Sequence, residues 1–289
     1  MANCFMNRFS VVIPTCRRNS SLAECLEKLA PGAQLLPEGA SYEVIVTDDG
    51  GEAQALIAQQ FPWATWVKGP GRGPASNRNN GANHATSNWL VFLDDDCLPD
   101  AGLLSAYSNA IALDPSILAL EGRIYTDRPR KSLSETAPLN GDGGYLWACN
   151  FAVQKALFQS MGGFDERFPF ASMEDVEFCY RLKKKSISTP FVKEAAVCHP
   201  WRKRNASREV QMHEISLGIY LKIHPEQSPN FSPQQLLFNN LRCLIKETLP
   251  GLIRFRGAGC FQALAWHFFS FGTAIRAFTR DTVPTDLNR

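Results

Sequence analysis

The chain has 289 residues, of which 45% are hydrophobic and 20% are charged, and this composition builds a packed core and excludes intrinsic disorder. The formal net charge of +2 gives no strong positive field, so nucleic acid is not an expected partner. The nine cysteines form no C-x-x-C pair and are odd in number, which excludes a disulfide framework or zinc knuckle and favours free thiols in a reducing cytoplasm.

The first half of the chain alternates between apolar, strand-like runs and helix-like segments. This alternation predicts an α/β fold, in which a mostly parallel sheet is flanked by helices on both faces. Ligands of such sheets bind at the carboxyl ends of the strands. The predicted strands lie at 9–15, 42–51, 64–69 and 89–96, and the predicted helices lie at 21–30, 52–61 and 74–85.

The second half is less regular. Strands are predicted at 117–126 and 188–201, and a strand that turns into a helix at 145–164. Residues 126–144 are rich in Pro, Gly and charge and are predicted to form a mobile loop, a candidate lid. A helix with a capping-box-like start is predicted at 172–186. After Asn205 the pattern is helical, so the chain divides into a domain at 1–205 and a helical region at 206–289.

Three consecutive carboxylates, Asp94, Asp95 and Asp96, follow the apolar run WLVFL. Alternate side chains of an extended chain point the same way, so Asp94 and Asp96 can converge on a hard cation such as Mg²⁺ or Mn²⁺. The alternative is a solvated acidic loop that caps the following helix. The motif TDDGG, with Asp48 and Asp49, is read either as a nucleotide contact or as an ordinary turn.

Three further charged positions have a functional and a structural interpretation. Arg78 can neutralise a diphosphate or form a structural pair with the aspartates. Glu174 and Asp175 can supply a general base or simply favour the first turn of a helix. His199, at the end of a strand, can bind a metal or be an ordinary buried histidine.

The motifs SVVIPTCRR, YEVIVTDDGG, GPASNRNNGANHA, WLVFLDDDCLPD, MGGFDERFPF and SMEDVEFCYRL occur in this order. Together they closely resemble the family 2 glycosyltransferases, which have the GT-A fold, and the resemblance covers residues 9–200. It implies a metal-dependent, inverting transfer of sugar from a nucleotide-diphosphate sugar, with Mn²⁺ or Mg²⁺ as cofactor. Uridine is the expected base, and the acceptor is expected to be a glycan or a lipid-linked sugar, as in cell-surface polysaccharide or glycolipid synthesis.

The resemblance also implies a role for each matching residue. Asp175 would be the catalytic base, with Glu174 positioning the acceptor or the base, and Asp96 and His199 would bind the metal of a D-x-D motif. Gly143 and Gly144 would belong to a loop over the donor sugar. The remaining implied contacts are to the nucleotide for Pro14, Thr15, Asp48, Asp49, Arg78, Asp94 and Asp95, and to the donor or acceptor pocket for Trp147 and Asn150.

One departure from the family concerns its processive members, which carry a Q-x-x-R-W segment and transmembrane helices. Neither is found here, because HPWRKR has Trp before Arg and no Gln, so transfer of a single sugar is expected. A nucleotidyltransferase that makes sugar nucleotides is the alternative enzyme, but its Gly-rich signature is missing where this chain reads PTCRRNSS. A non-catalytic relative that binds sugar nucleotides is the alternative outside enzymes.

The C-terminal third contains an uncharged segment at 257–275, flanked by Arg254, Arg256, Arg276 and Arg280. Its length is close to that of a membrane span, but four polar residues interrupt it. Basic flanks and aromatic residues favour instead a peripheral contact of 233–280 with an anionic membrane, at the inner face of the cell membrane. Packing against the domain at 1–205, or against a second copy in a homodimer, is the alternative. No secretory signal is expected in the N-terminal sequence.

Overall fold

The computed structural model describes the backbone of residues 7–279 and the side chains as far as residue 273. Cys4, Arg280, the Arg276 side chain and most of the N-terminal sequence lie outside the described residues. The chain forms two compact units, one at 1–127 and 138–200 and the other at 128–137 and 201–289. The division at residue 205 into independently folding domains stays a prediction.

The first unit is built on an eight-stranded mixed sheet with the order β3-β2-β1-β4-β8-β6-β9-β5. Its first half is parallel, since β1 pairs in parallel with both β2 and β4, and β2 with β3. Strand β8 runs antiparallel to β4 and β6, whereas β6 and β9 are parallel. The strands are β1 (Arg8–Thr15), β2 (Ser41–Asp48), β3 (Thr65–Lys68), β4 (Trp89–Leu93), β5 (Leu98–Pro99), β6 (Ala119–Tyr125), β8 (Asn150–Gln154) and β9 (Phe191–Cys198), and β7 belongs to the second unit.

Six helices cover this sheet, and the α/β fold predicted from the sequence is confirmed. Side chains alternate along each strand, so Val11 and Val91 join one hydrophobic core, whereas Phe92 points to the other face. There Phe92 packs at 5.0 Å between ring centroids against Phe151 within an aromatic cluster. The helices are α1 (Asn19–Glu27), α2 (Ala53–Gln60), α3 (Pro74–His84), α4 (Leu103–Leu113), α5 (Lys155–Ser160) and α6 (Glu174–Lys184).

The segment 126–144, predicted to be one mobile loop, is divided between the two units. Residues 128–137 belong to the second unit, where β7 (Glu135–Thr136) pairs antiparallel with β10 (Arg202–Lys203). Arg128 and Glu135 form an ion pair at 2.6 Å. The single continuous lid expected from composition is therefore wrong, because backbone pairing and an ion pair fix the middle of this segment.

The second unit is mostly helical. Its helices are α7 (Ala206–Ile223), α8 (Pro233–Cys243), α9 (Leu249–Arg254) and α10 (Cys260–Thr279), with a 3-10 turn at Pro225–Phe231 and a π-helical turn at Leu244–Thr248. The π-helical turn joins α8 to α9, so 233–254 is one continuous helical run. Buried His267 links the helices, since Nδ1 lies 2.6 Å from Asn240 Oδ1 and Nε2 lies 2.8 Å from Thr248 Oγ1.

Two rows of exposed apolar side chains run along this unit, and we call them the apolar stripes. The residues of each stripe recur every three or four positions, so they share one side of their helix. Among the described residues, no helix is both long enough and apolar enough to cross a membrane. The stripes comprise Phe238, Leu241, Ile245, Leu249 and Ile253 on the run 233–254, and Phe261, Leu264, Phe268 and Phe271 on α10.

Candidate active site

The parallel half of the sheet brings the polar strand ends to one edge. Thr15 at the end of β1 lies opposite Asp48 at the end of β2, and β4 ends beside them on the other side of β1. The Thr15 hydroxyl donates to Asp95 Oδ2 at 2.7 Å, and Thr15 O accepts from the Asp49 N–H at 3.0 Å. Three of the predicted motifs, SVVIPTCRR, YEVIVTDDGG and WLVFLDDDCLPD, therefore meet at this edge of the sheet.

The three aspartates form a turn instead of the extended strand expected from the sequence. The turn is closed by a hydrogen bond from the Cys97 N–H to Asp94 O at 3.1 Å. As a result the carboxylates of Asp94 and Asp96 contact different arginines and do not converge on one point. Asp94 Oδ1 accepts from Arg78 Nη2 at 2.6 Å, whereas Asp96 Oδ2 pairs with the guanidinium of Arg18.

Arg78, on α3, connects the aspartate turn to the start of α6. Its Nη2 contacts Asp94 and its Nη1 lies 2.8 Å from Glu174 Oε1, and only 2% of its side chain is exposed. Burial would lower the pKa of Arg78, but the charges of Asp94 and Glu174 outweigh it and raise that pKa, so the guanidinium stays charged. Arg78 Nε and Glu174 Oε2 are buried without a hydrogen-bond partner.

Helix α6 begins differently from the sequence prediction. The N-cap is Met173, in the left-handed region with φ of 72°, and no side chain caps the helix, so the predicted capping box is wrong. Asp175 Oδ2 instead accepts from the Ala148 N–H at 3.1 Å, and its Oδ1 from the Val176 N–H at 2.8 Å. A non-glycine residue in this rarely populated region is held there by its surroundings.

The two acids at the start of α6 have raised pKa values. Burial and the neighbouring charge of Asp175 raise the pKa of Glu174 to about 8, and Arg78 offsets only part of this. Burial also raises the pKa of Asp175, against hydrogen bonding from Ala148 and the charge of Arg78. Two carboxylic groups that share one guanidinium can therefore hold a proton near neutral pH, as an acid–base site requires.

Asp96 and His199 form the part of the site that fits a divalent metal. Asp96 Oδ1 is buried, lies 3.3 Å from His199 Nε2 and accepts no hydrogen bond of good geometry. His199 Nδ1 lies 3.0 Å from Pro200 O, and a bond to this carbonyl leaves Nε2 as the free ligand nitrogen. The donor set of one carboxylate and one imidazole suits Mn²⁺.

Cys97 lies in the same cluster, with ligand atoms of Asp96, Cys97 and His199 all within 4.8 Å of one another. Its thiol lies 3.7 Å from Cys149 O. Hydrogen bonding with Cys149 and burial raise the pKa of the Cys97 thiol well above its ordinary value. Without a metal the Cys97 thiol is therefore protonated near neutral pH.

The TDDGG motif divides into a structural and an accessible aspartate. Asp48 is 1% exposed, and its oxygens accept from the N–H groups of Gly50 and Ala53 at 2.8 Å each, so it fixes the turn and the start of α2. Asp49 is half-buried and accepts from the Gly71 N–H at 2.8 Å. A nucleotide contact therefore stays a prediction for Asp49, whereas the position of Asp48 fits the turn interpretation.

The predicted donor or acceptor pocket residues have different surroundings. Asn150 is 1% exposed, accepts from the Tyr107 hydroxyl at 2.8 Å, and donates to Arg123 O and Ala195 O at 2.9 Å each. The expectation that Asn150 faces a sugar does not fit the structure, because its amide group forms hydrogen bonds to the backbone of β6 and β9. Trp147 instead stacks on the exposed ring of Tyr145, with 5.6 Å between centroids.

The loop that carries Gly144 is held by a carboxylate that the sequence did not reveal. Glu121 is 4% exposed, and its oxygens accept from the N–H groups of Gly144 at 2.9 Å and Tyr145 at 3.0 Å. Gly143 and Gly144 have φ of 90° and 95°, which favours glycine at both positions. The loop is therefore ordered beside Ala148, whose N–H contacts Asp175.

Two other residues of the site were missed in the sequence. Arg18 contacts Asp95 at 2.9 Å and also pairs with Asp96. Asn77 ties α3 to the strand ends, because it donates to Thr47 O at 2.9 Å and to Thr15 O at 3.3 Å. The two consecutive arginines after β1 and the repeated asparagines of α3 are visible in the sequence. Residue type alone, however, does not show which residues Arg18 and Asn77 contact.

Comparison with known proteins identifies the class. The family model described as glycosyl transferase family 2 matches residues 10–156, slightly more than half of the chain. The chain belongs to this family. The match covers the strands and helices that carry Thr15, Asp49, Arg78 and the aspartate turn.

Two curated relatives are similar over most of the chain. An uncharacterized glycosyltransferase of Haemophilus influenzae is 25% identical over 63% of this chain and 64% of its own length. A validoxylamine A glucosyltransferase of Streptomyces hygroscopicus is 26% identical over 76% of this chain and 62% of its own length. The chain thus spans somewhat less than two thirds of the length of these relatives.

Two solved structures share the fold. TarS of S. aureus, in complex with UDP, aligns with a TM-score of 0.52 at 17% identity, over 93% of this chain and 80% of TarS. The mannosyltransferase PcManGT of Pyrobaculum calidifontis, in complex with GDP-Man and Mn²⁺, aligns with a TM-score of 0.53 at 18% identity, over 96% of this chain and 75% of its own. At these identities the likeness confirms the GT-A fold alone.

Proposed function

We propose that this protein is a glycosyltransferase that moves one sugar from a nucleoside-diphosphate sugar to an acceptor hydroxyl with inversion at the anomeric carbon. The observation that carries the proposal is the bridge made by Arg78. It joins Asp94, on the turn after β4, to Glu174 at the start of α6, next to Asp175. The two acidic motifs thus share one buried cation although 80 residues separate them.

Asp175 is proposed as the general base. Its backbone partners at Ala148 and Val176 fix the carboxylate, and burial raises its pKa, so it accepts a proton from a hydroxyl more readily than an exposed aspartate. Arg78 acts on this acid through its charge, and Glu174, the preceding residue, pairs with Arg78 at 2.8 Å. The acceptor hydroxyl loses its proton to Asp175 as its oxygen attacks the anomeric carbon. The nucleoside diphosphate leaves from the opposite side of that carbon, so no covalent intermediate with the enzyme is needed.

The donor end of the site is proposed at the carboxyl ends of β1, β2 and β4. Pro14, Thr15 and Asp49 are the proposed contacts to the base and ribose, with Asp94 and Asp95 near the ribose and Asp96 and His199 holding Mn²⁺ or Mg²⁺. Such an ion, when bound, neutralises the diphosphate as a leaving group. The named ligands UDP and GDP-Man of the two structural relatives support a nucleotide-sugar donor.

The acceptor is proposed to be a glycan or a lipid-linked sugar of the cell surface. The stacked rings of Tyr145 and Trp147 support this, since exposed aromatic faces pack on sugar rings, and the loop leads directly to Ala148 at the base. Relatives named validoxylamine A glucosyltransferase and chondroitin synthase indicate how widely acceptors vary in this family.

A peripheral contact of the second unit with an anionic membrane is proposed from its surface. The apolar stripes expose nine large apolar side chains, and between 233 and 273 the charged residues are Arg242, Lys246, Glu247, Arg254 and Arg256. Four basic residues and one acidic residue around apolar stripes fit anionic lipid. A symmetric homodimer, the alternative, would bring two basic faces together.

The test is a panel of nucleotide sugars and acceptor glycans with Mn²⁺, monitored by release of nucleoside diphosphate. The Asp175→Asn variant is expected to lower kcat by at least roughly 100-fold, as for loss of a general base, while nucleotide affinity changes little. The control is Asp114→Asn, an exposed aspartate at the end of α4, which is expected to leave turnover unchanged.

The same assay separates the alternatives. Release of pyrophosphate from a nucleoside triphosphate and a sugar phosphate would identify a nucleotidyltransferase. Binding of nucleotide sugar without any turnover on the full panel would favour a non-catalytic relative. Normal turnover by Asp175→Asn would exclude Asp175 as the base.

A further inference from the structure

Arg18 is a partly exposed cation that covers two buried acids. It directly precedes α1, and its Nη1 lies 2.9 Å from Asp95 Oδ1 while its other terminal nitrogen bonds Asp96 Oδ2. The Arg18 side chain is 45% exposed, compared with 3% for Asp95 and 14% for Asp96. One flexible side chain therefore neutralises a pair of acids that water reaches poorly.

Arg18 and Arg78 differ in how they hold their acids. Arg78 is 2% exposed and lies between Asp94 and Glu174, so it has no free path to another partner. Arg18 contacts its acids from the solvent side. It can leave them by rotating its side chain, without any movement of the backbone.

Asp96 is the acid at which two cations would meet. Its Oδ2 is held by Arg18, while its Oδ1 faces the imidazole of His199 at 3.3 Å. A divalent ion bound by Asp96 and His199 would add two positive charges beside the guanidinium. Because Asp96 is largely buried, solvent screens this repulsion weakly.

We propose that Arg18 is a competing counter-ion of the metal site. In the metal-free protein it neutralises Asp95 and Asp96, and a divalent ion displaces it from Asp96. The displaced guanidinium then binds the diphosphate of the donor, for which its planar pair of N–H groups is well suited. This inference rests on the proposed function, since it takes Asp96 as a metal ligand.

The first test measures Mn²⁺ affinity by calorimetry on protein freed of metal and without nucleotide. Arg18→Met is expected to bind Mn²⁺ roughly tenfold more tightly than the wild type, the effect of removing one neighbouring like charge. Arg18→Lys, which keeps the charge, is expected to stay close to the wild type. Arg17→Met is the matched control, because Arg17 is 75% exposed and lies 3.7 Å from Glu52, away from the aspartates.

The second test measures the affinity for nucleoside diphosphate at saturating Mn²⁺. Arg18→Met is expected to bind it roughly tenfold more weakly, so that the two affinities change in opposite directions. A merely structural arginine would lower the melting temperature without this opposite pair of changes. Arg18→Gln provides a second neutral side chain if Arg18→Met does not fold.

Unchanged or weaker Mn²⁺ binding by a folded Arg18→Met or Arg18→Gln variant would overturn the inference. Wild-type Mn²⁺ affinity in Asp96→Asn would also overturn it, because Asp96 would then not be the contested ligand. Neither result bears on the enzyme class, which the turnover assay with the donor panel tests separately.

Discussion

Arg78 shows how a single residue sets the electrostatics of the site. One buried guanidinium serves Asp94 and Glu174 directly and Asp175 through its charge. The pKa values of Glu174 and Asp175 are both raised, because burial and neighbouring acids disfavour the ionised forms more than this one cation favours them. The sequence allows two interpretations of Arg78, a structural ion pair with the aspartates or a contact to a diphosphate. The structure supports the ion pair, because Arg78 contacts Asp94 and Glu174.

The protonation of Glu174 predicts how stability depends on pH. Its pKa is about 8 in the folded chain and 4.5 as the ordinary value, so between these values the folded chain keeps a proton that the unfolded chain has released. The contribution of Glu174 to the free energy of unfolding therefore falls as pH rises from about 5 to 8. Glu174→Gln mimics the protonated form, so its free energy of unfolding should fall by roughly 3–4 kcal/mol less than that of the wild type over this range.

Urea unfolding at several pH values measures this difference. The comparison variant is Glu24→Gln, at an exposed position on α1, which should follow the wild-type curve. Parallel curves for Glu174→Gln and the wild type would show that Glu174 is ionised throughout.

Helix α3 depends on a close approach of its backbone to the sheet. It packs on β1 and β2 through Gly81, where an added Cβ would lie 2.5 Å from Val12 Cγ1 and 3.1 Å from Thr47 Cγ2. The same helix carries Arg78 and Asn77, so the small residue sets the distance of these side chains from the strand ends. The sequence places Gly81 within the predicted helix at 74–85, but its packing role depends on the sheet against which the helix lies.

Gly81→Ala is predicted to destabilise the protein by about 1–3 kcal/mol, because the helix must move away from the sheet. Gly218→Ala on α7 is the matched control, since nothing lies within 4 Å of an added Cβ there. That change should stabilise the fold by about 0.5–1 kcal/mol through helix propensity. Chemical denaturation measures both, and an equal effect of the two changes would refute the packing argument.

On the scale of the whole molecule, the two compact units have surfaces of different character. The first unit exposes single apolar residues such as Leu113, which is 87% exposed, and this is ordinary for a protein surface. The second unit arranges its exposed apolar residues in the apolar stripes, with Phe261 and Phe268 the most exposed on α10. Continuous exposed apolar surface indicates an interaction site.

Replacing both Phe261 and Phe268 by Ser is predicted to weaken binding to anionic phosphatidylglycerol vesicles at least roughly tenfold, since each phenylalanine buries apolar surface in the interface. Co-sedimentation at low and high salt measures this, and Leu113→Ser is the control. Wild-type protein that stays in the supernatant at low salt would contradict the membrane proposal. A dimer in sedimentation equilibrium, lost in the double variant, would favour self-association instead.

The alternation of apolar runs and helices determined the parallel first half of the sheet, because strands and helices leave distinct periodic patterns in the chain. The same pattern placed Thr15, Asp48 and Asp94 near the ends of neighbouring strands, although β2 and β4 end at Asp48 and Leu93, before the predicted positions 51 and 96. The order of the motifs also determined the family, which the comparisons confirm.

Only the tertiary structure decided how the polar side chains are used. Asp48 and Asp49 are neighbours of the same type and both accept from backbone N–H groups, yet Asp48 is 1% exposed whereas Asp49 is half-buried. Asn150 ties strands together, and Arg18 covers Asp95 although 77 positions separate them. A hydrogen bond or ion pair depends on which partner lies within about 3 Å, and residue type and spacing alone do not fix that distance across a fold.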